Sequence, residues 1–245
     1  MAAFRTAAVI GASTGIGAEM VRQLAAEGVR VAAVSRRLPE LEALQAACGG
    51  PEKVLVYAHD VKNYDEAPGL FDRIVADLGG LDCLIYNAGI MPRVEESEYN
   101  FGKDREIIEV NLLGAMAWFN PAGAFMEARR AGTLVGISSV AGDRGRRGNP
   151  AYHTSKAALT TYLEALRNRL FRYGVHVVTV KPGPVSTAMT EGLKLPLIIP
   201  VEEAARGAIA LAKGGTGEGY VPIAWKPIML TIRHVPSVIF RRTNI

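Results

Sequence analysis

The sequence predicts an α/β fold: a doubly wound parallel sheet of about seven strands with helices on both faces. Three observations carry this. Short runs rich in valine, isoleucine and alanine alternate with amphipathic stretches of helical period along most of the chain. Those runs are apolar almost throughout rather than on every second residue, as strands covered on both sides require. The segments joining them are long enough for crossover helices, and right-handed crossovers distribute those helices over both faces.

The elements follow in order. TAAVI reads as a first buried strand, followed by the turn GASTGIG and the amphipathic helix AEMVRQLAAEG. VRVAAVS is a second strand and PELEALQAAC a second helix. KVLVYA, LDCLIYNAG, GTLVGIS and VHVVTVKPG are further strands, separated by helical stretches around 63–79, 103–130 and 151–173. Pro121 falls inside the middle stretch, where a missing N–H and a ring clash should kink or tilt a helix. There is no internal repeat, low-complexity segment or interdomain linker. Residues 1–222 read as one domain, and 223–245 as a basic, apolar C-terminal tail.

Composition narrows the class. With 49% hydrophobic and 21% charged residues, the 245-residue chain suits an ordinary globular protein with one large core. The net charge of +4 is mild and suggests no nucleic-acid partner. Cys48 and Cys83 are far apart and form no ligand cluster, which fits a reducing compartment and argues against a disulfide framework or structural zinc. The start, MAAFRTAAVIGAS, lacks a signal-peptide pattern, and no apolar run reaches the length of a membrane span. A cytoplasmic location is expected, with membrane association through the tail as an addition to it.

GASTGIG sets Gly11, Gly15 and Gly17 between the first strand and the first helix. Glycines there allow a tight turn, close approach of a pyrophosphate and close helix–strand packing. The helix N-terminus adds free N–H groups and partial positive charge. A glycine triplet alone is usually a turn former; the strand–turn–helix context makes this one a dinucleotide-binding loop, with Ser13, Thr14 and Ile16 among its contacts. The second strand ends in Ser35, Arg36 and Arg37, where an acidic residue would hold the ribose 2′-hydroxyl of NAD. Arg36 can instead fork onto a 2′-phosphate, so NADP(H) is favoured and NAD(H) is the alternative. The plainer reading is two solvated arginines.

YHTSK, at 152–156, puts Tyr152 and Lys156 on one helical face. A nearby ammonium favours phenolate and lowers a tyrosine pKa from about 10. Such pairs also occur by chance on solvated faces, so the remaining motifs decide.

With these motifs the chain resembles the short-chain dehydrogenases/reductases, over about residues 5–222. The glycines have that family's G-x-x-x-G-x-G spacing. Asp60 and Val61 look like its adenine-contacting pair, and Asn87, Ala88 and Gly89 match its NAG turn. Asn111 in VNLLG matches its catalytic asparagine, SSVAG its serine, YHTSK its tyrosine and lysine. KPGPVST, with Pro182, Gly183, Val185 and Thr187, matches the segment that covers the nicotinamide. Ser139, thirteen residues before Tyr152, has the family's spacing and is preferred over Ser138. Ile10 departs from the pattern, where threonine is common. Longer relatives that epimerise or dehydrate nucleotide sugars share Y-x-x-x-K but differ in length and glycine spacing.

The resemblance implies a Rossmann-type fold and an oxidoreductase of carbonyl and alcohol groups. Tyr152 would be the general acid in reduction and the base in oxidation. Lys156 would lower its pKa and hold the ribose hydroxyls, Ser139 would bind the substrate oxygen, and Asn111 would complete a proton relay through water. Thr187 would contact the carboxamide, and no step requires a metal. The alternative is a non-catalytic dinucleotide sensor on the same fold, against which the complete set of four residues argues. Relatives form dimers or tetramers through two long helices, here near 103–130 and 151–173; AMAWF is compatible with such an interface and equally with a core.

The loop VAGDRGRRGNPA places Arg144, Arg146 and Arg147 beside the expected mouth, where they can hold a phosphate or another anion, or else pair with Asp143 or face water. The tail carries Lys226, Arg233, Arg241 and Arg242 and no acidic residue. Ile228, Met229, Ile232 and Val235 can share a helical face before Pro236, and Val238, Ile239 and Phe240 follow. Such a face can lie in a membrane interface or pack on the protein. Both segments distantly resemble reductases of polyprenyl-phosphate-linked ketosugars. The substrate expected is therefore a small-molecule or lipid-linked carbonyl compound, lipophilic and in one reading anionic, reached by peripheral membrane contact.

Overall fold

The computed structural model describes residues 4–192 and 195–243; the first residues of the N-terminal segment and the last two of the tail lie outside them. Seven strands form one parallel sheet: β1 (Thr6–Ile10), β2 (Arg30–Ser35), β3 (Val54–Ala58), β4 (Cys83–Tyr86), β5 (Gly132–Ile137), β6 (Val175–Pro182) and β7 (Glu218–Val221). Their order is β3-β2-β1-β4-β5-β6-β7, so the chain winds outward to β3, then restarts on the other side of β1. That reversal separates the loops leaving β1 and β4, whose last residues, Ile10 and Tyr86, pair in register. A crevice at such a switch point is where open α/β sheets bind ligands.

The continuous apolar character of the strands reflects two cores rather than one. Ala7 and Val9 point into a layer shared with Met20, Val21 and Leu24 of α1 (Gly15–Ala26), Leu41 of α2 (Leu38–Ala47) and Ile209 of α7 (Val201–Gly214). Ala8 and Ile10 point into the opposite layer, with Phe71 and Ile74 of α3 (Ala67–Leu78), Trp118 and Phe119 of α5 (Gly114–Arg129), and Leu159 and Leu163 of α6 (Pro150–Leu170). Trp118 and Phe119 are fully buried, so AMAWF belongs to the core.

The long helical stretch expected over 103–130 is three pieces: α4 (Phe101–Ile108), a wide π-helical turn over Glu109–Leu113, and α5. Pro121 does not end α5, which runs through it; the irregular turn lies upstream. A π turn admits one extra residue per turn and is frequent where a helix must aim a side chain. Two elements had weak sequence signals. β7 is only four residues, and α7 buries mostly alanines (Ala204, Ala205, Ala208 and Ala212), which make a faint apolar stripe.

The tail is structured: α8 (Trp225–His234) and α9 (Ser237–Phe240) follow β7. Trp225 and Met229 are buried against Val140, with Ile228 and Ile232 beside them. Most of the apolar face foreseen for a membrane is thus spent on the subunit itself. Among the described residues, no helix is long and apolar enough to cross a membrane.

Candidate active site

A cleft of about 770 Å3 runs along the carboxyl ends of the strands, from the glycine loop to the start of α6, within the range of cofactor and small-molecule sites. Gly11 and Gly15 take φ of +86° and +57°, left-handed values suited to glycine. A side chain at Gly17 would collide with the Gly11 carbonyl and Asn87, so helix α1 can start this close only with glycine there. Asn87 Nδ2 donates to the Gly11 carbonyl at 2.9 Å, locking the loop to the end of β4. Thr14 stands at the N-cap of α1 with its side chain accepting none of the first-turn N–H groups, and the first turn holds no acidic residue. Its N–H groups are thus left to an anionic ligand, and the loop fits a pyrophosphate.

Both arginines after β2 line this end. Arg36 reaches Asp60 at 3.5 Å. Arg37, passed over in the sequence reading, lies on the loop itself: its Nη2 donates to Ser13 Oγ at 2.8 Å and Thr14 Oγ1 at 2.9 Å. Adjacent arginines are indistinguishable by spacing, and only the strand's exit direction separates them. Ile16, Asp60, Val61, Ala88 and Gly89 also line the cleft, as do Pro182, Gly183, Val185 and Thr187 beyond β6. Gly183 is pressed against the Trp225 indole, leaving no room for a side chain. Gly17 and Asn111 stand behind the wall rather than in it.

At the other end, Asn149 starts α6 with φ +48°, its side-chain oxygen accepting from the Tyr152 N–H at 3.2 Å, and Pro150 opens the first turn. This cap aims Tyr152 and Lys156 at the ends of β4 and β5. Lys156 is buried and donates to the Ile137 carbonyl at 2.9 Å. Tyr152 and Ser139 line the same stretch of the cleft, close enough for the Ser139 hydroxyl to act on the Tyr152 phenol. Ser139 Oγ also accepts from the Ala141 N–H at 3.1 Å. Ser138 has a structural post instead, donating to the Lys156 carbonyl at 3.0 Å and sharing a hydrogen bond with Thr160 at 2.8 Å.

Asn111, fully buried in the π turn, accepts from the Ile90 N–H at 2.8 Å and donates to the Ile90 carbonyl at 3.0 Å. It also donates to Ser155 Oγ at 3.1 Å, and Ser155 donates to the Tyr152 carbonyl at 2.8 Å.

Electrostatically the site departs from the expectation that Lys156 lowers the tyrosine. Burial raises the Tyr152 phenol above its ordinary value, and the neighbouring Ser139 hydroxyl only partly opposes this. The Lys156 ammonium lies 5.8 Å from the ring centre and is itself pushed down to about 8 by burial. Burial also lowers His153, leaving it neutral at pH 7.

The three loop arginines separate. Arg144 does not face the mouth, contrary to expectation. Its Nη1 donates to the carbonyls of Ile232, Arg233 and Val235 at 2.9, 3.0 and 2.5 Å, and its guanidinium stacks on Phe240 at 4.1 Å. A C-terminal helix end presents unpaired carbonyls, and Arg144 satisfies those of α8. Arg147 also lies off the cleft lining and reaches Glu96 at 3.9 Å. Arg146 lines the cleft beside Asn149, Tyr152 and His153. Asp143 pairs with none of these three by salt bridge; Lys181 holds it at 2.6 Å.

Comparison with known proteins agrees with this architecture. The chain matches the short chain dehydrogenase family over residues 5–196. It is 37% identical over 229 residues to an uncharacterised oxidoreductase of Myxococcus xanthus (strain DK1622), covering 91% of this chain and 88% of that one. It is 35% identical over 191 residues to the ketoacyl reductase HetN of Nostoc sp. (strain PCC 7120), covering 76% and 66%. A solved structure described as a putative betaketoacyl-ACP reductase superposes with a TM-score of 0.77 at 27% identity, covering 89% of this chain and 98% of that one. The protein belongs to the short chain dehydrogenase family, an oxidoreductase family whose Rossmann-type fold it has.

Proposed function

We propose that the protein is an NADP(H)-preferring oxidoreductase that interconverts a ketone and a secondary alcohol, acting chiefly as a ketone reductase. The observation that carries this is Tyr152 set beside Ser139 and Lys156 in one cleft with the glycine loop. Gly11 to Gly17 would cradle the pyrophosphate, Arg36 and Arg37 the 2′-phosphate, and Thr187 the carboxamide. The nicotinamide, when bound, supplies the hydride in reduction and takes it in oxidation.

Ser139 and Tyr152 both present hydroxyls to the substrate oxygen. Ser139 positions the carbonyl, and Tyr152 donates its phenolic proton to the oxygen as negative charge develops there. Lys156, while protonated, stabilises the resulting phenolate and holds the ribose hydroxyls. Asn111 fixes the Ile90 loop and the first turn of α6, so the wall facing Lys156 keeps its shape, and a proton relay to solvent runs past it. Ile90, Met91, Val140, Met189 and Leu195 give the substrate end an apolar lining, suited to a lipophilic ketone. The printed names of the ketoacyl reductase relative and of the solved neighbour support a ketone as the reacting group.

Assembly as a homodimer or homotetramer through the outer faces of α4, α5 and α6 belongs to the same proposal, supported by exposed Phe101 and Leu113; light scattering tests it. The deciding experiment is Tyr152→Phe. This variant retains cofactor binding and loses nearly all turnover; turnover near wild type refutes the assignment.

A further inference from the structure

Of the three arginines between Ser139 and Tyr152, only Arg146 turns into the cleft, and it arrives there underpartnered. Its Nε is buried without a hydrogen-bond partner. Its Nη2 meets the Met229 sulfur at 3.8 Å, and a thioether is a weak acceptor. The nearest acid in sequence is already spent: Asp143 receives Lys181 at 2.6 Å on one oxygen and the Tyr220 hydroxyl at 2.8 Å on the other. The one carboxylate among the described residues lining the cleft is Asp60, at the far end and paired with Arg36. The substrate end therefore holds two cations, Lys156 and Arg146, a neutral His153, and no acid.

A guanidinium does not shed its charge at neutral pH, and holding it half-buried without an anion is costly. Its planar fork matches carboxylate or phosphate. We infer that Arg146 is the anion-binding group of the substrate site, and that the substrate is a ketone carrying a carboxylate or phosphate group on an otherwise apolar body. This deepens, and rests on, the reading of the cleft as a ketone reductase site.

The test uses three ketones of one aryl-alkyl skeleton, ending in a methyl ester, a carboxylate or a phosphate monoester. Wild type should favour one of the anionic forms, and which one identifies the group. Arg146→Met should lower kcat/KM for that form tenfold or more and change the ester less than twofold. Equal loss on all three ketones, or no loss on the anionic ones, overturns the proposal.

Stability separates binding from support. Removing an unpaired buried charge should leave Arg146→Met at least as stable as wild type in urea; a variant that is markedly destabilised or fails to fold marks Arg146 as a structural prop and also overturns the proposal. Calorimetry of the same ketones on NADPH-loaded Tyr152→Phe protein reads binding without turnover. Binding that depends on Arg146, combined with no turnover by wild type on any of the three, keeps the anion site and rejects the reductase reading. Binding insensitive to Arg146→Met in that background rejects the anion site whatever the turnover.

Discussion

Lys181 Nζ lies 2.6 Å from Asp143 Oδ1, with both side chains only 2% exposed, and 2.9 Å from Glu218 Oε1. The pair joins the end of β6 to the turn that follows Ser139, and Tyr220 of β7 holds the second Asp143 oxygen. Removing one member of a buried ion pair leaves the other uncompensated, at about 3–5 kcal/mol. Lys181→Met should destabilise the protein by about that much in urea unfolding. The double variant with Asp143→Leu should recover a substantial part of the loss. Additive losses would mean that the two charges do not depend on each other.

Lys156 gives the fold a pH signature. Its ammonium titrates at about 8 in the folded protein, below its ordinary value of 10.5, because it is buried. Between those pH values the unfolded chain binds the extra proton, so stability should rise with pH through this window. Lys156→Met lacks the titration. The stability of wild type relative to this variant should therefore increase from pH 7 to pH 10, and a flat difference refutes the assignment.

The same titration bears on activity. In the free enzyme Lys156 is charged below about pH 8 and neutral above it. Its support for a Tyr152 phenolate should fade accordingly, so kcat/KM for ketone reduction should fall as pH rises through about 8. Lys156→Arg, which stays charged, should lose that limb even at reduced overall activity.

Arg36 and Arg37 are held at the glycine-loop end of the cleft by different routes, one through Asp60 and the other through Ser13 and Thr14. Charge-assisted hydrogen bonds contribute about 1.5–3 kcal/mol each. Arg37→Ala and Arg36→Ala should each weaken NADPH about tenfold to a hundredfold in fluorescence titration and change NADH far less. Equal weakening of both cofactors would remove that arginine from 2′-phosphate recognition.

A chain ending at Pro222 loses Trp225 and Met229 from against Val140, and with them the backing of Gly183. It should unfold at a lower urea concentration and reduce ketones more slowly. Cosedimentation with anionic vesicles separates packing from membrane contact: the outer side of the tail still exposes Leu230, Val238 and Ile239 among Lys226, Arg233 and Arg241. If both forms stay in the supernatant at low salt, the tail is purely an intramolecular element.

What the sequence made legible was encoded within a few residues. TAAVI and VRVAAVS needed only their own composition to read as doubly covered strands, and the glycine turn needed only its place between strand and helix. Tyr152 and Lys156 share a helical face whatever the rest of the chain does. The remainder depended on contacts between distant segments. Arg144, Arg146 and Arg147 look alike in sequence, yet α8 and its end supply open carbonyls for the first and a thioether for the second, while the third reaches Glu96. The tail's packing was equally hidden, because an amphipathic face fits a lipid surface and the Val140 turn alike. Burial reversed the expected tyrosine shift, and burial is a property of the assembled site rather than of a four-residue spacing.

Asn111 meets Ile90 as a neighbouring strand would, one N–H taken and one carbonyl served, four residues beyond the end of β4. A side chain here impersonates a peptide group and adds a rung to the ladder after the last strand has stopped. The chemistry of that rung is directional: aspartate keeps the acceptor and loses the donor, leaving the Ile90 carbonyl unanswered. The same carboxamide nitrogen also engages Ser155, and through it the Tyr152 backbone, so it shares the fastening of the far bank to the foot of α6 with Asn149, whose Nδ2 donates to the Pro92 carbonyl at 2.9 Å. A lateral slip of one bank is thus transmitted to the other through side-chain amides rather than through the sheet.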